Sequence, residues 1–223
     1  MSWVLASSNS GKLQEFQDAL PRVTLAPMQQ HNLHELPPET GTTYEANALI
    51  KATYACQQTG LPALADDSGL EVDALGGAPG VYSARYGREV LGEDADDAAR
   101  LRYLLERLSS IPSDTQQDTQ QNTQQNTQDN RRARFMCVLV LAFPDDTLIT
   151  SKGVCYGSIV EEPRGEAGFG YDSVFLSDDL GKTFGEASRA AKSRVSHRAQ
   201  ALQGLREWLE TDAGQAKITR WQP

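Results

Sequence analysis

The sequence is poor in cysteine, histidine and aromatic residues, and the few cysteines exclude one class of protein. Three of the 223 residues are cysteine, three are histidine, and 7% are aromatic. Cys56, Cys137 and Cys155 are odd in number, lie far apart and form no CxxC pair. This pattern excludes a disulfide scaffold and indicates reduced thiols in a cytosolic protein.

Long apolar runs and a surplus of basic residues are also missing. The longest apolar run, 136–143, is far shorter than the ~20 residues that span a bilayer. Residues 1–6 lack the basic stretch of a signal peptide, so a cytoplasmic location is expected. Lys and Arg total 21 against 30 Asp and Glu, a net charge of −9. An acidic chain without a basic cluster is a poor partner for nucleic acid or an anionic membrane.

One polar tract differs from the rest of the chain. Residues 114–130 read DTQQDTQQNTQQNTQDN, a four-residue period without an apolar side chain. Such a segment cannot bury enough surface to offset the entropy of ordering, so a disordered loop is predicted. The length of 223 residues suits one α/β domain or two small lobes that share a core. We therefore predict a single domain over 1–223 with a disordered insertion at 114–130.

Strand-like and helix-like segments alternate along the remainder, with one antiparallel hairpin. This alternation favours an α/β fold with a central mixed β-sheet and flanking helices. The predicted elements are a strand at 3–6, a helix carrying Leu13, Phe16 and Leu20, a helix at 42–58 opened by a Thr42–Glu45 capping box, a strand at 61–65, a helix at 94–108, hairpin strands at 135–143 and 148–160, and a last helix capped by Ser196.

The first strand–loop–helix junction is a candidate anion site. Residues 7–12 read SSNSGK, where small side chains allow backbone N–H groups to approach a phosphate. The helix N-terminus adds partial positive charge and Lys12 a full charge. The stretch is not a P-loop, since Ala6 and Leu13 occupy the places of a glycine and of the metal-binding hydroxyl. An ordinary helix cap beside a solvated lysine remains the alternative.

A second candidate is the run Asp66-Asp67-Ser68-Gly69. Two carboxylates directly after an apolar strand are expected at the carboxyl edge of a sheet, where α/β proteins bind ligands. Mg²⁺ takes one or two carboxylates together with substrate phosphate oxygens. Glu39 and Glu45 are nearby acids that could complete the site. The alternative is that Asp66 only turns the chain and that Glu45 only closes its capping box.

Two later stretches carry residues suited to a flat, polar ligand. Residues 165–172 read GEAGFGYD, in which Phe169 or Tyr171 could stack on a base, although a tight turn has the same composition. His197 and Arg198 would occupy the first turn of the helix capped by Ser196, where the helix dipole disfavours cations. Basic residues there suggest a bound anion or polar ligand, with a solvated surface as the alternative.

Taken together, these stretches closely resemble the family of non-standard purine nucleoside triphosphate pyrophosphatases, the Ham1-like enzymes that include inosine triphosphatase and dITP/XTP pyrophosphatase. Six blocks typical of that family occur in order over nearly the whole chain, which makes the resemblance specific. Three departures are modest: Ser7 replaces a threonine, Ala46 interrupts an E-N-A block, and Ala167 replaces a frequent glycine. The blocks are SSNSGK at 7–12, EANALIKA at 45–52, ADDSGL at 65–70, LGGAPGVYSAR at 75–85, EAGFGYD at 166–172 and KSRVSHR at 192–198.

The resemblance implies a mixed-sheet α/β fold with two lobes around a nucleotide cleft, a homodimer, and Mg²⁺-dependent hydrolysis of ITP, dITP and XTP to monophosphate and pyrophosphate. Such an activity would remove these nucleotides before they enter DNA or RNA. Asp67 would be the catalytic base or a carboxylate bound to Mg²⁺, and Glu39 would be the second Mg²⁺ ligand. Which of Asp66 and Asp67 is the base and which supports the metal stays open. Glu45 and Asp66 are further candidates at this site. Residues implied in substrate binding are Ser7, Ser8, Asn9, Ser10, Gly11, Lys12, Lys51, Ser68, Phe169, Gly170, Tyr171, Asp172, Lys192, His197 and Arg198.

Two other functions stay open at this point. A related pyrophosphatase could act on modified pyrimidine or standard nucleotides, as Maf-like enzymes do. A regulatory module could bind nucleotides without turnover. The joint presence of Asp66, Asp67, Lys12 and Lys192 argues against the regulatory module, since a pure binder has less need of a metal-holding carboxylate.

Overall fold

Seven strands form one sheet in the order β2-β1-β3-β4-β5-β6-β7. The computed structural model describes residues 2–7, 11–111 and 131–221. The predicted insertion at 114–130 lies outside the described residues. The elements are β1 (Trp3–Leu5), α1 (Gly11–Ala19), β2 (Leu25–Pro27), α2 (Tyr44–Thr59), β3 (Ala63–Val72), α3 (Arg88–Leu91), α4 (Asp97–Ser109), β4 (Arg132–Ala142), β5 (Leu148–Ile159), β6 (Phe175–Ser177), β7 (Lys182–Thr183), α5 (Arg189–Val195), α6 (His197–Leu209) and α7 (Asp212–Trp221), with 3₁₀ turns at Met28–His31, Asp73–Leu75 and Gly80–Arg85.

Parallel and antiparallel pairs both occur in the sheet. Strand β1 runs parallel to β2 and to β3, with Trp3 opposite Leu25 and Val4 opposite Ala63. Strand β6 runs antiparallel to β5 and to β7. The predicted mixed α/β sheet with flanking helices is confirmed.

The predicted hairpin is formed by β4 and β5. At the turn, Phe143 N donates to Thr147 O at 2.9 Å, and at the far end Ile159 N donates to Arg131 O at 2.9 Å. These two hydrogen bonds have the same register, so the strands stay antiparallel along their length. The turn residues Pro144 to Thr147 supply the reversal, as the sequence indicated.

The chain divides into two compact units, each with its own apolar core. The first unit is Met1–Ser68, Cys137–Val154 and His197–Pro223, and the second is Gly69–Met136 and Cys155–Ser196. The first core is built on β1, β3 and β4 with helices α1, α6 and α7, and the second on the remaining parts of the long strands with α4 and β6. Fully buried large side chains include Trp3, Phe16 and Leu139 in the first unit and Phe175 and Phe184 in the second.

Helix starts differ slightly from the sequence prediction. Helix α2 is capped by Thr43, whose hydroxyl accepts from Ala46 N at 3.1 Å, so the predicted capping box beginning at Thr42 is wrong. Helix α4 begins after Asp96, whose carboxylate accepts from Ala99 N at 2.7 Å. The start of α2 therefore lies two residues after the predicted one, and the start of α4 lies three residues after it.

Helix α6 begins at His197, directly after Ser196, as predicted, but it is not the last helix. Helix α7 follows after a two-residue connection. Its sequence has a glycine in the first turn and few apolar residues, so the helical pattern is weak. The structure explains the glycine: a Cβ at Gly214 would lie 2.4 Å from the carbonyl oxygen of Trp208.

Candidate active site

Asp66 and Asp67 lie inside strand β3. The apolar run was predicted to end before them, but β3 continues through Ser68 to Val72, so the predicted position at a strand end is wrong. Successive side chains of a strand point to opposite faces. Accordingly, Asp66 contacts side chains of α1 and α6, whereas Asp67 contacts side chains of α2.

The Asp66 side is a buried network of alternating charges. Lys12 Nζ donates to both carboxylate oxygens of Asp66 at 2.9 Å. Arg198 Nε lies 3.6 Å from Asp66 Oδ2, and Arg198 Nη1 donates to Glu15 Oε2 at 3.3 Å. Burial favours the neutral form of Asp66, but Lys12, Arg198 and Lys51 outweigh burial and hold the pKa of Asp66 well below its usual range. Asp66 is therefore ionised and pairs with the cationic side chains of Lys12 and Arg198.

Arg198 is itself buried, with 5% of its surface exposed. Within the described residues its Nε has no hydrogen-bond partner. Burial lowers the pKa of Arg198, but the charges of Asp66 and Glu15 outweigh it, and the net shift is upward. A buried guanidinium with an open donor can bind an anion or a carbonyl oxygen.

The Asp67 side gathers two carboxylates around one ammonium group. Lys51 Nζ donates to Glu39 Oε1 at 2.6 Å and lies 3.7 Å from Asp67 Oδ1. Asn47, which is fully buried, donates from Nδ2 to Asp67 Oδ2 at 3.1 Å. Its Oδ1 accepts from Gly41 N at 2.8 Å, which fixes the amide orientation. Oδ1 of Asp67 thus faces the ammonium group and Oδ2 is held by the amide.

Asp67 and Lys51 titrate unusually in this setting. Burial, together with the charges of Glu39 and Asp66, raises the pKa of Asp67 to about 6 against the opposing effects of Lys51 and Asn47. Burial lowers the pKa of Lys51, but Asp66, Asp67 and Glu39 outweigh it and raise the pKa overall. A carboxylate whose pKa is near neutrality is suited to accept and release a proton.

The donor chemistry of the Asp67 side fits Mg²⁺. Glu39 and Asp67 offer hard oxygen donors, and their mutual repulsion contributes to the raised pKa of Asp67. A cation would relieve that repulsion. Among the described residues no three His, Cys, Asp or Glu side chains form a metal cage. Two carboxylates completed by phosphate oxygens are the arrangement that Mg²⁺ commonly takes with nucleotides.

Other predicted residues of the first unit make no contact described above with Asp66 or Asp67. Glu45 is half exposed and pairs with Lys152 at 2.6 Å on β5. Ser7 follows β1, and its N donates to Leu5 O at 3.0 Å. Ser68 continues β3 beyond Asp67, and Gly11 begins α1. Ser8, Asn9 and Ser10 lie outside the described residues.

Helix α6 approaches β5 closely where His197 and Arg198 begin it. A Cβ at Gly153 of β5 would lie 2.0 Å from His197 O and 2.5 Å from Ala201 N. Ser151 Oγ also donates to Ala201 O at 2.7 Å. The absence of a side chain at Gly153 therefore sets the position of the α6 N-terminus.

In the second unit, residues 168–172 form a loop that we call the aromatic loop. The ring of Phe169 is 57% exposed, whereas Tyr171 is buried and donates to Ser83 O at 3.0 Å. Burial raises the pKa of Tyr171. Phe169 is therefore the aromatic residue of this loop that offers a face to a ligand, and Tyr171 packs in the core.

Asp172 and Lys192 support the aromatic loop. Asp172 is buried, and its Oδ2 accepts from Lys192 Nζ at 2.5 Å and from Phe169 N at 2.9 Å. Lys192 Nζ also lies 5.4 Å from the centre of the Phe169 ring and 5.0 Å from that of Phe184. A Cβ at Gly168 would lie 1.9 Å from Asp172 Oδ2, so glycine is required there.

Sequence reasoning missed Glu15, Asn47 and Asp97. Glu15 follows Lys12 by three residues on one helix face, and Asn47 belongs to a block that the sequence already showed. Both signals were available. Asp97 contacts the aromatic loop from a distant segment, and its sequence position gives no indication of this.

These features define a class: a mixed-sheet α/β protein whose first unit holds paired carboxylates among lysines and whose second unit presents an aromatic face beside a lysine. The model of the Ham1 family matches residues 3–208. The chain belongs to the Ham1 family, and the family prediction is confirmed.

Similar proteins and solved structures agree with this assignment. A dITP/XTP pyrophosphatase of Thermus thermophilus is 46% identical over 209 residues, covering 93% of this chain and 91% of the relative. That of Escherichia coli strain K12 is 44% identical over 209 residues, covering 92% and 96%. The structure of a HAM1 protein from Coxiella burnetii matches with a TM-score of 0.78 and 39% identity, covering 94% of this chain and 98% of the other.

One further finding concerns membranes. In the parts of the chain that the structure describes, no helix combines the length and the apolar character needed to cross a bilayer.

Proposed function

We propose that this protein hydrolyses the non-standard purine nucleoside triphosphates ITP, dITP and XTP to the nucleoside monophosphate and pyrophosphate. Family membership and relatives named dITP/XTP pyrophosphatase support the substrate class. The observation that carries the proposal is the geometry of Asp67, which is held by Asn47 at 3.1 Å and faces Lys51 at 3.7 Å, while Lys51 also binds Glu39 at 2.6 Å.

Asp67 would act on the attacking water. The water oxygen forms a bond to the α-phosphorus while the bond from that phosphorus to the α–β bridging oxygen breaks, and pyrophosphate leaves. Asp67 takes the water proton at Oδ1, since Oδ2 already accepts from Asn47. Asp66 is a weaker base, because Lys12 and Arg198 hold its pKa low.

Glu39 and Asp67 would hold Mg²⁺. When bound, the metal ion would neutralise negative charge on the triphosphate as the bond to the leaving group breaks. Lys12 and Lys51 would contact phosphate oxygens, together with the loop at 7–10 that the family block implies. Each lysine now pairs with a carboxylate, so phosphate oxygens would share or replace those contacts.

In the second unit, base recognition would depend on Phe169 for stacking and on Lys192 for a polar contact, with Asp172 orienting Lys192. In the first unit, His197 and Arg198 are the further polar residues that the family resemblance implies. A 6-keto purine presents an acceptor where adenine presents an amino donor. Ammonium and guanidinium groups carry donors and no acceptor, so they favour inosine and xanthine over adenine. The homodimer and the cytoplasmic location implied by the resemblance stay predictions.

The proposal is tested by phosphate release from ITP, XTP, GTP and ATP with Mg²⁺, with and without added inorganic pyrophosphatase. We expect phosphate from ITP and XTP only when the coupling enzyme is present, because pyrophosphate is the product. Asp67→Asn serves as the inactive control, with folding checked by circular dichroism.

Other outcomes would redirect the proposal. Phosphate without the coupling enzyme would indicate stepwise phosphatase chemistry. A preference for modified pyrimidine or standard nucleotides would indicate a Maf-like specificity. Nucleotide binding in calorimetry without any product would indicate a regulatory module.

A further inference from the structure

The backbone of the aromatic loop is tied at two successive N–H groups by two different carboxylates. Phe169 N donates to Asp172 Oδ2 at 2.9 Å. Gly170 N donates to Asp97 Oδ2 at 2.9 Å. The first tie comes from within the loop. The second comes from the start of helix α4, more than seventy residues earlier in the chain.

Asp97 lies in the first turn of α4 but does not cap the helix. Asp96 caps α4, accepting from Ala99 N at 2.7 Å. Asp97 instead directs Oδ2 to Gly170 and Oδ1 to the guanidinium of Arg100, which also contacts Ala95 O. Arg100 therefore orients the Asp97 carboxylate from within the same helix.

The loop needs such a tie because of its composition. Gly168 and Gly170 flank Phe169 with φ of +82° and +60°, and glycine gives the backbone wide freedom. The Phe169 ring is 57% exposed, so packing alone restrains it little. Fixing the N–H groups on either side of the Phe169 Cα restricts the direction of its Cα–Cβ bond, and hence the region that the ring can occupy.

We propose that Asp97 is a positioning residue for base binding: it holds Gly170 and so keeps the Phe169 side chain in the place where it stacks on the purine before substrate arrives. This inference rests on the proposed function. Preorganisation of this kind strengthens binding of the base without touching the reacting phosphate. Asp97 thus affects affinity for the nucleoside and leaves the chemical step unchanged.

The test compares Asp97→Ala with Asp96→Ala, its neighbour. Both variants lose an acid at the start of α4, but only Asp97→Ala loses the contact to Gly170. We expect Asp97→Ala to raise KM for ITP about 3- to 10-fold while kcat changes less than about twofold. Asp97→Asn keeps an oxygen acceptor and should restore KM to near the wild-type value. Phe169→Ala should raise KM at least as much as Asp97→Ala.

A second measurement separates base binding from phosphate binding. Inhibition by pyrophosphate, which lacks a base, should be the same in Asp97→Ala and wild type. A merely structural role would lower the apparent kcat through loss of folded enzyme and would leave both KM for ITP and inhibition by pyrophosphate unchanged. Equal KM values for Asp97→Ala and Asp96→Ala, or weakened pyrophosphate inhibition confined to Asp97→Ala, would overturn the inference.

Failure of the proposed function would show itself differently. A wild-type protein that releases no pyrophosphate from ITP or XTP fails that proposal by itself. Calorimetric titration with inosine 5′-monophosphate then tests Asp97 without turnover. Weaker binding to Asp97→Ala than to Asp96→Ala supports the positioning role, and equal binding contradicts it.

Discussion

The side-chain amide of Asn47 links the backbone of Gly41 to the carboxylate of Asp67: its Oδ1 accepts from Gly41 N at 2.8 Å, and its Nδ2 donates to Asp67 Oδ2 at 3.1 Å. Because the amide is fixed by Gly41, it can only donate to Asp67. This arrangement leaves Oδ1 of Asp67 directed to Lys51 and available for proton transfer.

Replacing Asp67 by Asn should abolish turnover and yet stabilise the metal-free protein at neutral pH. The folded pKa of about 6 lies above the ordinary value near 3.9, so ionisation of Asp67 opposes folding above pH ~6 and has no effect below pH ~4. We expect Asp67→Asn to gain about 1–2 kcal/mol of unfolding free energy at pH 8 in EDTA. Urea denaturation from pH 4 to pH 8 measures this, and a loss of stability at pH 8 would contradict it.

Replacing the adjacent Asp66 by Asn should have the opposite effect on stability. Its folded pKa is lowered, so the ionised form contributes stability above pH ~4 that is lost as the pH falls toward the folded pKa. The variant leaves the half-buried Lys12 and the buried Arg198 beside a neutral amide, and a loss of about 3 kcal/mol is expected at pH 7. The same urea series provides the measurement. Equal effects of Asp66→Asn and Asp67→Asn would show that their environments do not differ as described.

Gly153→Ala should damage both folding and activity. The new Cβ would lie 2.0 Å from the carbonyl oxygen of His197, and backbone cannot yield there without moving the start of α6. We expect a loss of about 2–3 kcal/mol and a reduced kcat/KM for ITP. Lys152→Ala, on the same strand, removes an exposed pair with Glu45 and should cost less than about 1 kcal/mol. Similar losses in the two variants would argue against this close approach.

Deletion of residues 114–130 should leave activity on ITP within a few-fold of the full chain. The tract has no apolar side chain to bury, so its removal takes away little packing. Thermal unfolding and steady-state kinetics of the shortened protein provide the test. A large loss of either stability or turnover would show that the repeat has a role.

Much of the fold was predictable because its patterns are local. Helix α1, the β4–β5 hairpin and the start of α6 followed from apolar spacing and turn residues. The position of the two aspartates did not follow, since polar residues inside a strand look like the end of a strand. Short elements such as β6, β7 and α5 carry too few residues for a period to be seen.

For the candidate site, the sequence predicted which blocks of residues contribute to it but not the contacts among them. Those blocks named Lys12, Lys51 and Asp67 but gave no partner for any of them. Which carboxylate each lysine contacts depends on strand alternation and on helix packing between distant segments. The contact of Asp97 could not be predicted for the same reason, because its partner Gly170 lies in a distant part of the sequence.

The charges around β3 have a consequence for how ligands enter. Lys12, Lys51 and Arg198 carry three positive charges, while Glu15, Glu39, Asp66 and Asp67 carry four negative charges when ionised. A triphosphate that binds to these residues without a divalent cation meets no excess of positive charge. Nucleotide and divalent cation should therefore bind with positive cooperativity, each increasing the affinity for the other by the same factor. The enzyme would then select the metal–nucleotide complex over the free nucleotide.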